Sequence, residues 1–219
     1  MFSAQRRFVR PIMAVAVLLA LPACDAKDPL EGVDLILEVD DAPVAVGASM
    51  QVVPNQVSSV SINVGASSDI KSVQEITSIM LDPTDFSYTQ SAGLRAASSV
   101  SAAASGNINV VLRIGNVGLA ALLTVQDNVV TNVAPRQLLN LTNFSAWKQA
   151  VLDIVENMPE SQRPDFSTFE NMNPEEVKQE LVDLLGGTFQ LHIHVHTSNP
   201  ELTGTLTLSE FSLGGTFVF

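Results

Sequence analysis

The sequence predicts an α+β fold that is mostly β: an antiparallel β-sandwich or partly open barrel carrying two amphipathic helices. Three observations predict it. Apolar–polar alternations of period two recur from Val33 to the end of the chain. Only two segments carry the 3.6-residue period of a helix. Strands and helices also fall in blocks and do not alternate as βαβ units.

Residues 33–39 alternate loosely and run into Asp40-Asp41-Ala42-Pro43, a turn signal. Residues 44–53 and 58–64 are β-rich, and in the second run Val60, Ile62 and Val64 alternate with Ser61 and Asn63. Residues 70–81 read as a half-buried strand, with Ser72, Gln74 and Ser78 set among apolar residues and Asp82-Pro83 closing it. Ser, Ala and Gly dominate residues 87–106, a composition that points to a long exposed loop, either a binding loop or a tolerated insertion. Residues 108–114 and 119–125 follow as strands, with 129–133 as a third.

The first helix starts at Phe144. Its apolar residues recur at Trp147, Ala150, Val151, Ile154, Val155 and Met158, one buried face, and Pro159 stops it. The second has start and stop signals at both ends: Asn173 as N-cap, Pro174 in the first turn, Glu176 as capping-box partner and Gly186-Gly187 at the end. Val177, Leu181, Leu184 and Leu185 form its apolar face. In the closing segment Phe189, Leu191, Ile193 and Val195 alternate with Gln190, His192, His194 and His196. A turn at 197–201 then leads to Leu202, Leu206 and Leu208 alternating with Thr203, Thr205 and Thr207. This reads as a hairpin with one buried and one polar face, followed by a further strand over 211–219.

Residues 1–23 have the composition of a targeting segment. Arg6, Arg7 and Arg10 precede an unbroken apolar run from Ile12 to Leu21, and no acidic residue occurs before Asp25. Ten apolar residues suit a signal-peptide core but fall short of the roughly 20 needed to span a bilayer as a helix. The run ends in Leu21-Pro22-Ala23-Cys24, which resembles the lipobox of bacterial lipoproteins. The resemblance covers the first 24 residues. It implies diacylglycerol on the Cys24 sulfur, cleavage before Cys24, and a mature chain held on a membrane of the bacterial envelope. The expected organisation is a leader over 1–23, the lipidated cysteine and tether over 24–32, and a single β-rich domain over 33–219. Either membrane remains open, the outer being preferred to the inner.

Cys24 is the only cysteine, so no disulfide forms within the chain. Removing residues 1–23 takes away three of the 11 Lys and Arg and none of the 23 Asp and Glu, leaving 196 residues with a net charge of −15. A chain this acidic, with no basic stripe, is not built to bind nucleic acid or anionic lipid through charge.

All three histidines lie in His192-x-His194-x-His196. On a strand these imidazoles project from one face about 7 Å apart, and neighbouring pairs suit a transition metal such as Zn²⁺, Cu²⁺ or Ni²⁺ if an adjacent strand adds ligands. The neighbours expected from the hairpin, Thr203, Thr205 and Thr207, are poor ligands, so a plain polar row facing solvent is the competing reading, and no cofactor is expected. The chain has no G-x-S-x-G elbow, H-E-x-x-H helix or phosphate-binding loop, and hence no catalytic residue is assigned. Near the end, Ser212-x-Gly214-x-x-Phe217-x-Phe219 resembles the terminal signal of outer-membrane β-barrels, but one Trp and one Tyr cannot build the aromatic girdles of a barrel.

These observations favour a non-enzymatic binding or scaffold module whose partners are the membrane, through its lipid, and other envelope proteins. The alternative is a carrier of a lipid or other hydrophobic ligand, with a cavity between sheet and helices lined by Trp147, Val151, Leu181 and Leu185. A metal-binding protein using the histidine row comes third.

Overall fold

Alternation sets which face each strand buries, and the packing of those faces sets the layers. The structure is a computed structural model that describes residues 35–65, 72–91 and 103–218. The expected leader, Cys24 and its tether lie outside the described residues. The chain divides after Val33, and the described residues all belong to the unit Asp34–Phe219.

The elements run β1 (Ile36–Val52), β2 (Val57–Gly65), β3 (Ser72–Met80), β4 (Phe86–Gln90), β5 (Gly106–Ile114), β6 (Val117–Gln126), β7 (Val129–Ala134), α1 (Phe144–Glu156), α2 (Ser167–Asn171), α3 (Pro174–Leu185), β8 (Thr188–His196) and β9 (Gly204–Val218). They build two antiparallel sheets. In one, β9 pairs with β1 on one side and with β3 and β4 on the other. The other has the order β2-β8-β5-β6-β7. The architecture is therefore the expected mostly β sandwich and not a closed barrel, and one apolar core draws on both sheets and the helices.

Three local expectations are corrected. The Asp40–Pro43 segment is not a turn: β1 runs through it, with register shifts between Val39 and Ala42 and between Ala45 and Ala48. The physical reason is position. β1 is an outer strand, where proline's missing N–H leaves no ladder bond unmade, and bulges absorb the irregular residues. Gly47, at φ +65°, supplies the left-handed residue in the second shift. The start of the Ser- and Ala-rich stretch is also a strand: Phe86 and Tyr88 of β4 are buried while Ser87 and Thr89 point outward. Residues 92–102 lie outside the described residues.

The hairpin expected near the end of the chain does not form. β8 and β9 are consecutive but belong to different sheets, and the two runs predicted at 202–208 and 211–219 form the single strand β9 over Gly204–Val218. The Asn199 amide holds the crossing, its nitrogen donating to the Ser105 carbonyl and its oxygen accepting from the Glu201 N–H. Thr197 donates through its hydroxyl to the Asn107 carbonyl, and its own carbonyl accepts from the Asn55 N–H. The turn signal was sound, but these contacts carry the chain from one sheet to the other.

Both expected helices form. Trp147, Val151 and Val155 are the buried stripe of α1, which lies against β5 and β6. The Trp147 indole N–H donates to the Leu138 carbonyl, so its polar edge is satisfied inside the core. At α3 the Asn173 side chain accepts from the N–H groups of Glu175 and Glu176, and the Glu176 carboxylate accepts from the Asn173 N–H at 2.8 Å. Val177, Leu181 and Leu185 are buried as the α3 helix packs on β3, β6 and β8. The short helix α2 was not expected, and its Phe169 sits edge-on to Trp147 at 5.6 Å.

Candidate functional site

In β8 the apolar residues Phe189, Leu191, Ile193 and Val195 are buried on the inner face of the five-stranded sheet. Strand geometry then sends His192, His194 and His196 to the outer face, as the alternation predicts. Register decides what they meet. β2 places Ser61 opposite His192, Ser59 opposite His194 and Val57 opposite His196. On the other side β5 places Arg113, Val111 and Asn109 opposite the same three histidines. Three cross-strand rows result: Ser61–His192–Arg113, Ser59–His194–Val111 and Val57–His196–Asn109. The predicted neighbours Thr205 and Thr207 instead lie on β9 in the other sheet, bonded to Gln51 and Ser49.

The Ser61 hydroxyl is 2.6 Å from His192 Nδ1, and the Ser59 hydroxyl is 2.7 Å from His194 Nδ1. His192 and His194 are half-buried, whereas His196 is only 6% exposed. Burial lowers the pKa of all three rings. For His194 burial dominates, with Arg113 and His192 adding positive charge nearby, and the pKa falls to about 4. At neutral pH the row is therefore uncharged and Arg113 is its cation.

The helical segment covers part of this face. The Phe166 ring lies against Gly118, the next residue across from Arg113, so closely that a Cβ there would collide with it. Asp165, beside that ring, has its pKa lowered by hydrogen bonds from the Ser167 backbone and side chain, with Arg113 a smaller contributor. Gln162 reaches back to the edge of the sheet and accepts from the Val57 N–H at 2.6 Å.

Polar satisfaction sets this face apart. Four buried side-chain polar atoms lack a hydrogen-bond partner among the described residues: Tyr88 Oη, Arg113 Nε, His194 Nε2 and His196 Nδ1. Three of the four belong to this one strip, and buried polar groups are ordinarily satisfied. His192 Nε2 and the terminal nitrogens of Arg113 make no hydrogen bond to a described residue and yet are not among these buried atoms, so they are not sealed from solvent.

The strip limits which chemistry it can perform. Among the described residues no three His, Cys, Asp or Glu side chains gather as a metal ligand set, so the His192, His194 and His196 row lacks the ligands a neighbouring strand would have to add. Ser59–His194 and Ser61–His192 have the spacing of a nucleophile and base. Neither ring, however, is hydrogen-bonded to a carboxylate among the described residues, and such a partner is what orients the imidazole in a triad.

Trp147, Val151, Leu181 and Leu185, the expected cavity lining, are all buried in the continuous core. Two surface grooves are lined by other residues. One, of about 670 Å³, lies between Gly115, α2 and α3 with Met172, Glu176, Glu180 and Leu184 on its walls. The other, of about 280 Å³, lies between the end of α1 and the start of α2. Cys24 falls outside the described residues.

Arg113, Ser59 and Ser61 were not singled out from the sequence as site residues. Arg113 did leave a signal: it interrupts the apolar run of residues 110–125, and a charge within an otherwise apolar strand marks a face that is not simply core. Among the described residues no helix is long and apolar enough to cross a membrane. The site thus belongs to a two-sheet sandwich with a helical cover over part of one outer face. Comparison of the chain with known protein families, with curated proteins and with solved structures found no match.

Proposed function

We propose that the chain is a lipoprotein of the bacterial envelope, anchored through Cys24, whose β-rich domain is a non-enzymatic binding module using the outer face of β2, β8 and β5. One observation carries the binding reading: the clustering on that single face of Arg113 Nε, His194 Nε2 and His196 Nδ1, all buried and without a partner among the described residues. Leaving a buried donor or acceptor unmade costs about 1–3 kcal/mol, and a sheet that only needed to be stable would place apolar residues there. The membrane reading is supported by the basic start, the ten-residue apolar run and the Leu21-Pro22-Ala23-Cys24 motif. The outer membrane is the preferred destination.

Expression of the full chain in a bacterium fed an alkyne fatty acid tests the anchor. The expected result is a labelled chain in the membrane fraction, with label and membrane association both lost in Cys24→Ala. A wild-type chain that carries no label and fractionates as soluble would overturn it.

A further inference from the structure

The sequence is short of positive charge, with 11 Lys and Arg against 23 Asp and Glu. Five of those cations lie among the described residues, and four of them are partnered. Arg136 pairs with Asp82 at 3.1 Å and Lys178 with Glu75 at 2.8 Å. Lys148 donates to the carbonyls of Glu170 and Met172, and Arg163 to those of Glu156 and Met158. The exception is Arg113, which forms no hydrogen bond or ion pair with any described residue. Asp165, whose carboxyl feels the Arg113 charge, is exposed, accepts from the Ser167 N–H at 2.9 Å and does not pair with the guanidinium. A half-buried cation without a partner in a strongly acidic chain is the reverse of the usual arrangement.

The same row supplies a second donor. His192 lies directly across from Arg113, and its Nδ1 is held by Ser61. When the Ser61 hydroxyl donates to Nδ1, the ring proton must sit on Nε2, the nitrogen open to solvent. In that arrangement Ser61 is a positioning residue that makes the neutral imidazole an outward-facing N–H donor. The Arg113 terminal nitrogens and His192 Nε2–H then present two kinds of donor side by side, and guanidinium matches the planar or tetrahedral oxygens of carboxylate and phosphate.

We infer that Arg113 and His192 form a binding site for an oxyanion, the carboxylate or phosphate group of a ligand, with Ser61 setting the His192 tautomer. The inference rests on the outer face of β2, β8 and β5 being the binding surface and gives that surface its ligand chemistry. The Asp165 carboxylate, which feels the Arg113 charge, works against a bound anion.

The test follows the side-chain nitrogen resonances of Arg113 and His192 in ¹⁵N-labelled full-length chain. Sodium phosphate and sodium acetate are titrated separately, at ionic strength held constant with chloride. The expected result is saturable movement of both signals with a Kd on the order of 1 mM for at least one of the two anions. Which anion binds more tightly distinguishes a phosphate-bearing ligand from a carboxylate. Arg113→Gln should weaken binding at least about ten-fold and Arg113→Lys about three- to five-fold, because lysine keeps the charge but not the fork. Ser61→Ala should weaken it a few-fold, and Asp165→Asn should tighten it by roughly the same factor. No saturable shift with either anion, or an unchanged Kd in both Arg113 variants, would overturn the inference. Fatty-acid labelling at Cys24 is read independently. Label without anion binding removes only this site, and anion binding without label removes only the anchor.

Discussion

The two faces of the five-stranded sheet come from the same residues in alternation, yet they are finished to different standards. The inner face of β8 and β5 is closed: Leu191, Ile193, Val195, Val110, Leu112 and Ile114 are at most 1% exposed, and none of these side chains has a polar atom to satisfy. Its outer face holds two Ser–His contacts, an unpaired arginine and three of the four unpartnered buried polar atoms among the described residues. Burial of apolar surface supplies the folding energy, so stability should reside in the inner face. The outer face spends part of that stability on groups whose hydrogen-bonding capacity is left unused within the fold. The difference separates what holds the sheet together from what the sheet presents.

The largest effect expected from this contrast is on stability. Ile193→Ala removes a fully buried side chain from the inner face and should cost about 3 kcal/mol, within the range for large-to-small changes in a core. His192→Ala, one residue away on the outer face, should cost less than about 1 kcal/mol because only an exposed contact with Ser61 is lost. Urea unfolding of both variants checks the pair. Equal losses would break the division between the faces.

The next effect is pH-dependent. The His194 pKa is about 4 in the folded chain against an ordinary 6.5, so the unfolded chain takes up this proton first as pH falls. Stability is therefore full above about pH 6.5 and is lost progressively down to about pH 4, below which this group adds no further loss. The ring is only partly shielded from water, so the contribution is on the order of 1–2 kcal/mol rather than the full value of the shift. His194→Gln should be less sensitive over that window than the wild type when unfolding free energies are compared at pH 7 and pH 4.5. Parallel pH profiles would mean that the outer row is more open to water than its burial implies.

Much of this fold was legible because the signals involved were local. The α3 capping box was readable from Asn173, Pro174 and Glu176 alone, since all its contacts fall within one helical turn. The orientation of His192, His194 and His196 was likewise fixed by period two. What could not be read was pairing. Alternation tells which face a residue occupies but not which strand lies beside it, so β8 and β9 looked like hairpin partners until Asn199 and Thr197 were seen holding the chain across to the other sheet. Because that neighbour was misjudged, Ser59, Ser61 and Arg113 were not connected with the histidines, though they lie 131 to 135 residues away on β2 and nearer on β5. The break expected at Asp40–Pro43 failed for a related reason: an outer strand tolerates residues that a central one does not.

Removing one serine sharpens the comparison within the outer face. Ser59→Ala leaves His194 Nδ1 without its partner while Nε2 already has none, so the ring loses its one described hydrogen bond. A loss of about 0.5–1 kcal/mol is expected, with a measurable change in the His194 ring nitrogen shifts as the tautomer is released. Unchanged ring shifts would show that the serine does not set the imidazole proton.

The outer face of the four-stranded sheet provides the control, and the smallest effect. There the exposed Ser49 and the half-buried Thr207 share a hydroxyl contact at 2.9 Å, and the exposed Gln51 donates to the hydroxyl of the half-buried Thr205 at 3.1 Å, but unlike His194 neither threonine carries a buried, unpartnered polar atom. Water can replace each of these contacts, so nothing buried is stranded when one partner is removed. Ser49→Ala should change unfolding free energy by no more than about 0.5 kcal/mol, with no dependence on pH between 4.5 and 7. If Ser49→Ala proved as costly as Ser59→Ala, exposed cross-strand hydroxyls would be contributing everywhere on this sandwich. The outer face of β2, β8 and β5 would then lose its claim to be different in kind. A near-neutral Ser49→Ala beside a costly Ser59→Ala would locate the difference where burial and hydrogen-bond demand coincide, on the histidine strip.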